Sequence, residues 1–154
     1  MRKPEISIAP EDPRQADARR LIAESDALMQ ALYPPDSNHL VSVDALASAD
    51  TVFLVARRDG EAVGSIAFRI ITPGHAEMKR MFVRAEARGS GLGRRLLEAL
   101  EQVAREQRID RISLETGIRQ PEAIGLYRTS GYEDCPPFGD YRPDPLSLFM
   151  TKRL

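Results

Sequence analysis

Residues 88–93 read R-G-S-G-L-G (Arg88, Gly89, Ser90, Gly91, Leu92, Gly93). They stand between an apolar strand-like run, Met81-Phe82-Val83, and the helical spacing of Leu92, Leu96, Leu97, Leu100 and Val103. Three glycines within five residues let the backbone approach a ligand closely and take conformations that a side chain forbids. A helix opening at such a loop presents unpaired backbone N–H groups and the positive end of its dipole, a ready site for phosphate oxygens. Arg88 and the pair Arg94-Arg95 add formal positive charge at the same place. The junction therefore predicts an anionic ligand, and a pyrophosphate in particular.

Working outward, Thr51 to Arg57 and Ala62 to Ile71 are β-rich, and Asp59-Gly60 between them is a hairpin signal because glycine supplies the positive φ of a tight turn. Pro73-Gly74 makes a second turn and Glu77 to Val83 a third strand, so the centre of the chain is an antiparallel meander. Upstream, Glu5 to Ala9 alternates weakly as an edge strand. Asp12 is placed to cap a helix with Pro13 at its first position, running to about Leu32 and stopped by Pro34-Pro35. Asp36 to His39 reads as a loop, and Ser42 as the cap of a short helix through Ala47. Downstream of the junction come a helix to about Gln107, a short strand Arg111 to Thr116, and a helix Gln120 to Ser130. That last helix has Pro121 in its first turn and Gly131 just past its end. Pro136, Pro137, Pro143 and Pro145 stiffen a loop before a final alternating strand, Leu146 to Lys152. The fold class is α+β: a mixed, mostly antiparallel sheet flanked by about four helices. It contains one strand–helix–strand crossover, expected to be parallel and right-handed.

Three phosphate-binding loops compete for the junction. A P-loop needs Lys and a hydroxyl after its last glycine, and Gly93 is followed by Arg94-Arg95. A dinucleotide fingerprint needs G-x-G-x-x-G opening a βαβ unit, whereas the spacing here is G-x-G-x-G after a meander. The third, Q/R-x-x-G-x-G/A between a central strand and a helix, is met at Arg88, Gly91 and Gly93. With M-K-R-M-F-V (Met78 to Val83), L-E-T-G (Leu114 to Gly117) and A-I-G-L-Y-R-T-S-G-Y (Ala123 to Tyr132), the chain resembles the GNAT family of acetyl-CoA-dependent N-acetyltransferases. The second half of the chain carries the resemblance closely; the first half agrees in element order.

The resemblance implies a single N-acetyltransferase domain over residues 1–154, with acetyl-CoA as co-substrate. It also implies that Glu77–Val83 and Arg111–Thr116 splay apart at their C-terminal ends. The unpaired backbone of Met81 and Val83 would then meet the pantetheine amides as a surrogate strand, and a donor near Met81 would polarise the thioester carbonyl. Arg88, Gly89, Ser90, Gly91, Leu92, Gly93 and Arg94 fall to the cofactor, with the N–H groups of Gly89, Gly91, Gly93 and Arg94 on the pyrophosphate. Gln120 stands where the family usually has Asn; it caps a helix less well and reaches further. Tyr127, on the same helix face as Ala123, matches the tyrosine that binds the CoA sulfur and protonates the leaving thiolate. The acceptor amine must lose a proton, to Glu77, Glu115 or a water chain. Arg69, Lys79 or Arg80 would meet an acceptor carboxylate, and Tyr33, Phe138 and Tyr141 lie in segments that flank the acceptor in relatives. The alternative reading is a non-catalytic acyl-CoA-binding sensor or interaction module of the same fold.

Composition fits this picture. A 42% hydrophobic, 29% charged chain of 154 residues suits a soluble domain with one core. A net charge of −1 argues against nucleic acid or an anionic membrane as partner, leaving a small-molecule or peptide amine. The single Cys135 excludes an internal disulfide. No apolar run approaches the roughly 18 residues of a membrane span, and Met1-Arg2-Lys3-Pro4 opens no apolar signal core. A cytoplasmic location is the expectation. His39 and His75 stand apart with no ligand pattern, so no metal is expected. The final strand, taken as a sheet edge, offers a route to a homodimer.

Overall fold

Asp59 and Gly60 both take left-handed backbone, φ +49° and +87°, the geometry whose twist matches two antiparallel strands. The hairpin they close supplies the second and third strands of the seven-stranded sheet that the described residues form. The computed structural model describes residues 3–38 and 41–154. Its elements are β1 (Ile6–Pro10), α1 (Ala16–Leu32), α2 (Val43–Leu46), β2 (Thr51–Arg58), β3 (Glu61–Thr72), β4 (His75–Val83), α3 (Leu92–Glu106), β5 (Arg111–Gly117), α4 (Pro121–Thr129), β6 (Glu133–Asp134) and β7 (Ser147–Arg153). The strand order is β1-β2-β3-β4-β5-β7-β6, and among the described residues β4–β5 is the one parallel pair.

Both faces of the sheet are covered, which is why β2 and β3 read as nearly continuous apolar runs. On one face, Ala18, Leu21 and Ile22 of α1 and Leu46 of α2 pack on Phe53, Val55, Ala67 and Phe82. On the other, Leu92, Leu96, Leu97 and Leu100 of α3 pack on Leu54, Ile66, Phe68, Ile112 and Leu114. Strand β4 serves both layers by changing phase. Ala76 and Met78 join the α3 layer, whereas Phe82 joins the α1 layer. The change falls where β4 loses register against Ser65–Ala67. Arg80 sits there at φ +57°, a bulge that sends alternate side chains to the opposite face. Its guanidinium is buried against Asp26 of α1 and the Val41 carbonyl, tying down the segment over the sheet.

Several sequence expectations need correction. Helix α1 begins at Ala16, with Gln15 rather than Asp12 at its N-cap. The Asp12 carboxylate instead accepts the Arg14 N–H at 2.9 Å, in a turn closed by Gln15 N–H on the Asp12 carbonyl. Strand β7 is not the outermost strand. It lies between β5 and β6, although β6 covers it only at Thr151 and Met150, so the expected dimerisation edge is partly occupied. The loop expected at Asp36–His39 holds a 3-10 turn, Pro35–Ser37; His39, like Met1 and Arg2, lies outside the described residues. Ser42 caps α2 as expected, accepting the Ala45 N–H at 3.1 Å. Among the described residues no helix is long and apolar enough to cross a membrane.

Candidate active site

The parallel pair β4–β5 is in register only at His75↔Arg111, Ala76↔Ile112 and Glu77↔Ser113. Beyond Glu77 the two strands part, so β4 runs on to Val83 with its β5-facing backbone edge open. A cavity of about 470 Å³ lies at this opening, lined by Met81, Val83, Arg88, Gly89, Gly91, Leu92, Gly93 and Gln120 among others. Gly89 and Gly91 both have φ +79°, and a Cβ on either would meet nothing within 4 Å. Gly91 is also the N-cap of α3, with no side chain to satisfy the first N–H groups of that helix. The loop is thus shaped to turn a bare helix N-terminus onto a ligand. Gly93 has a further role in packing: a Cβ there would come within 3.0 Å of Leu126 and 3.2 Å of Met81.

A smaller cavity of about 110 Å³ continues from the first between the diverging strands, with Met81 and Gln120 lining both. Tyr127 and Glu115 reach into it. Tyr127 is 5% exposed and edge-on to Tyr132 at 6.0 Å. Burial, with the Glu115 charge adding to it, pushes its phenol pKa well above the usual value. Glu115 accepts the Ser147 hydroxyl at 2.6 Å. At the seam between the cavities the Tyr33 hydroxyl donates to Gln120 Oε1 at 3.2 Å and accepts the Arg119 N–H at 3.2 Å.

A third cavity, of about 910 Å³, adjoins the small one, and Lys79 lines both. Its floor holds Glu77, 2% exposed. The Glu77 carboxylate accepts Tyr141 Oη at 2.5 Å and pairs with Lys79 Nζ at 3.0 Å and Arg69 Nη2 at 3.5 Å. Tyr141 belongs to the proline-rich loop, whose Phe138 and Tyr141 rings pack on Phe149 at 5.9 and 5.4 Å.

These features match a known family. Residues 18–132 fit the Acetyltransferase (GNAT) family model. The chain belongs to the GNAT family. It is 50% identical over 152 residues to an IAA acetyltransferase of Azospirillum brasilense, covering 98% of this chain and 99% of that one. A solved Klebsiella pneumoniae protein, given as a candidate acyl-CoA N-acyltransferase, is 38% identical with a TM-score of 0.83, over 97% of each chain. The PaiA N-acetyltransferase of Thermoplasma acidophilum, solved in complex with coenzyme A, shares the fold at a TM-score of 0.76 and 19% identity, over 97% of this chain and 99% of that one. The chain is thus an N-acetyltransferase of the GNAT type, with the fold that its sequence predicts.

Within this GNAT fold the structure sorts the residues singled out by sequence. Met81, Val83, Arg88, Gly89, Gly91, Leu92, Gly93 and Gln120 share the first cavity, and Tyr127 stands beside it. Ser90 and Arg94 do not line it. The Ser90 hydroxyl donates to the Ala87 carbonyl at 2.6 Å, and the Arg94 guanidinium to Thr129 of α4 at 3.0 Å. Arg88 folds back to donate to the Val83 carbonyl at 2.9 Å. Glu115 and Glu77 lie in different cavities. Burial pushes the Cys135 thiol pKa up, the reverse of nucleophile activation. Among the described residues no group of three His, Cys, Asp or Glu could hold a metal ion. Sequence reasoning missed the Arg80 bulge, which no glycine marks. It also missed the need for glycine at 117, where a Cβ would lie 1.8 Å from the Tyr33 hydroxyl.

Proposed function

We propose that the chain transfers an acetyl group from acetyl-CoA directly to the amine of a small molecule or peptide, both substrates being bound together. The observation that carries this is the opening of β4 from β5 beside the glycine loop, with Tyr127 and Glu115 in the gap. Acetyl-CoA suits that opening: the free edge of β4 offers N–H and C=O groups to an extended amide chain, and the uncapped start of α3 offers N–H groups to a pyrophosphate. It supplies an acetyl group activated as a thioester.

The side chains divide the remaining work. Backbone N–H groups of Gly89, Gly91, Gly93 and Arg94 hold the pyrophosphate, and a backbone donor near Met81 polarises the thioester carbonyl. Burial keeps the Tyr127 phenol protonated, so it is a hydrogen-bond donor for the sulfur as negative charge develops there. Glu115, in the same cavity, takes the proton of the acceptor amine. Glu77 is one cavity away, held by Tyr141 and Lys79, and organises the acceptor side.

A screen of amines, with IAA included because the Azospirillum relative is named for it, follows free CoA and the mass of the acetylated product. Stoichiometric appearance of both supports direct transfer; CoA release with no acetylated acceptor contradicts it. With an acceptor in hand, Tyr127→Phe should slow turnover about 10²-fold while acetyl-CoA still binds. Unchanged turnover removes Tyr127 from the mechanism.

A further inference from the structure

Helix α4 ends by folding its own chain back onto Tyr127. Gly131, at φ +96°, donates its N–H to the Arg128 carbonyl, and Tyr132 donates its N–H to the Tyr127 carbonyl at 3.0 Å. These are the two bonds of a Schellman turn, in which the residue after the glycine makes an apolar contact with the last turn of the helix. Here that contact is ring on ring: Tyr132 stands edge-on to Tyr127 at 6.0 Å. A phenylalanine would fill the place as well, but Tyr132 carries a further attachment. Its hydroxyl donates to the Glu101 carboxylate of α3 at 3.0 Å, and the same carboxylate takes Lys152 Nζ of β7 at 2.8 Å, with the exposed Arg105 3.9 Å away. Glu101 and Tyr132 are both buried, and Lys152 Nζ also lies 5.7 Å from the centre of the Tyr132 ring.

Packing alone does not ask for this arrangement. A buried carboxylate and its ammonium are costly to desolvate, and apolar residues of like size often hold a fold equally well. What the pair achieves is to pin one hydroxyl between α3 and β7, and so to fix the tilt of the Tyr132 ring. Tyr127 needs such a guide. It lines the small cavity, its hydroxyl has no hydrogen-bond partner among the described residues to aim it, and Tyr132 is its one aromatic contact there. Tyr132 itself lines none of the three cavities. Granted the role of Tyr127 given above, we propose that Tyr132 is a positioning residue: anchored on Glu101 and Lys152, its ring holds the Tyr127 phenol at the angle that meets the departing sulfur.

Tyr132→Phe removes the hydroxyl and keeps the ring, and a circular-dichroism melt confirms the folded variant. With isotopically labelled tyrosine, nuclear magnetic resonance reads the flip rate of the Tyr127 ring without any substrate. That rate should rise about tenfold or more in Tyr132→Phe, a loss comparable to one charge-assisted hydrogen bond; an unchanged rate overturns the proposal. Kinetics follow free CoA with the fastest amine of the screen above, hydroxylamine included as the smallest. Tyr132→Phe should lower kcat about tenfold with KM for acetyl-CoA unchanged, and should change kcat by less than about twofold in a Tyr127→Phe background. Glu101→Gln, which keeps an amide oxygen for the hydroxyl, should stay within about twofold of the natural chain. An unchanged kcat in Tyr132→Phe, equal losses in both backgrounds, or Glu101→Gln as slow as Tyr132→Phe each overturn the proposal while leaving Tyr127 in place. Tyr127→Phe as fast as the natural chain, or no amine turned over, overturns the reading of Tyr127 itself and this one with it.

Discussion

Gly117 at the end of β5 offers the sharpest test of how Tyr33 is seated beside the two cavities. Its φ is not among the left-handed values, so alanine is acceptable to the backbone. The obstacle is Tyr33: a Cβ at 117 would lie 1.8 Å from its hydroxyl oxygen and 2.0 Å from Cζ. Gly117 is fixed by its pairing with Ser147 and by the Gln120 N–H on its carbonyl, so the ring must leave. Tyr33 would surrender its burial and its bonds to Gln120 and the Arg119 N–H. Exposing the ring costs about 2 kcal/mol and stranding the Arg119 N–H about 1 kcal/mol more. Gly117→Ala should therefore lose about 3 kcal/mol in urea unfolding. Tyr33→Ala alone should cost about as much, and adding Gly117→Ala to it should cost little further, because the clash is gone. The reasoning is refuted if Gly117→Ala is neutral, or if the two substitutions add independently.

Gly91→Ala meets no neighbour but must hold φ +79°; denaturant titration should show a loss of about 1 kcal/mol, and calorimetry a weakened affinity for acetyl-CoA. No change in either would mean that the loop conformation is not what binds. Glu115→Gln should slow turnover at saturating acceptor about 10²-fold in steady-state CoA release, and an unchanged rate would remove Glu115 as proton relay. All four tyrosines, Tyr33, Tyr127, Tyr132 and Tyr141, have pKa values raised above the ordinary 10.0, burial being the largest cause for each. The folded state thus keeps protons that the unfolded state releases, a stabilisation complete below pH 10 and lost as pH rises further. Tyrosinate absorbance should appear together with unfolding, in one step, and independent titration of the phenols near pH 10 in folded protein would contradict this.

What the sequence displayed was what local chemistry decides. The Asp59-Gly60 turn, the Ser42 cap and the glycine loop each follow from residues within a few positions, and the loop with its neighbours was enough to identify the family. The start of α1 went astray because Asp12 had a competing use for its carboxylate, a turn onto Arg14. The bulge at Arg80 left no trace because an arginine holds it, through Asp26 and Val41 on a different layer. Gly117 sat inside a recognised motif, yet its reason is Tyr33 at the far end of α1. Strand β6, two residues long, has no periodicity to read, and its pairing moves β7 off the edge. The cavity over Glu77 is the extreme case. Its floor comes from β3, β4 and the proline-rich loop, so only the folded chain brings Arg69, Glu77, Lys79 and Tyr141 together.

The central claim is that the opening between β4 and β5, with the bare start of α3, is a site for acetyl-CoA. Isothermal titration of the protein with acetyl-CoA measures it without knowledge of the acceptor. The account predicts saturable one-to-one binding that is weakened in Gly91→Ala. No heat of binding at millimolar acetyl-CoA would contradict it.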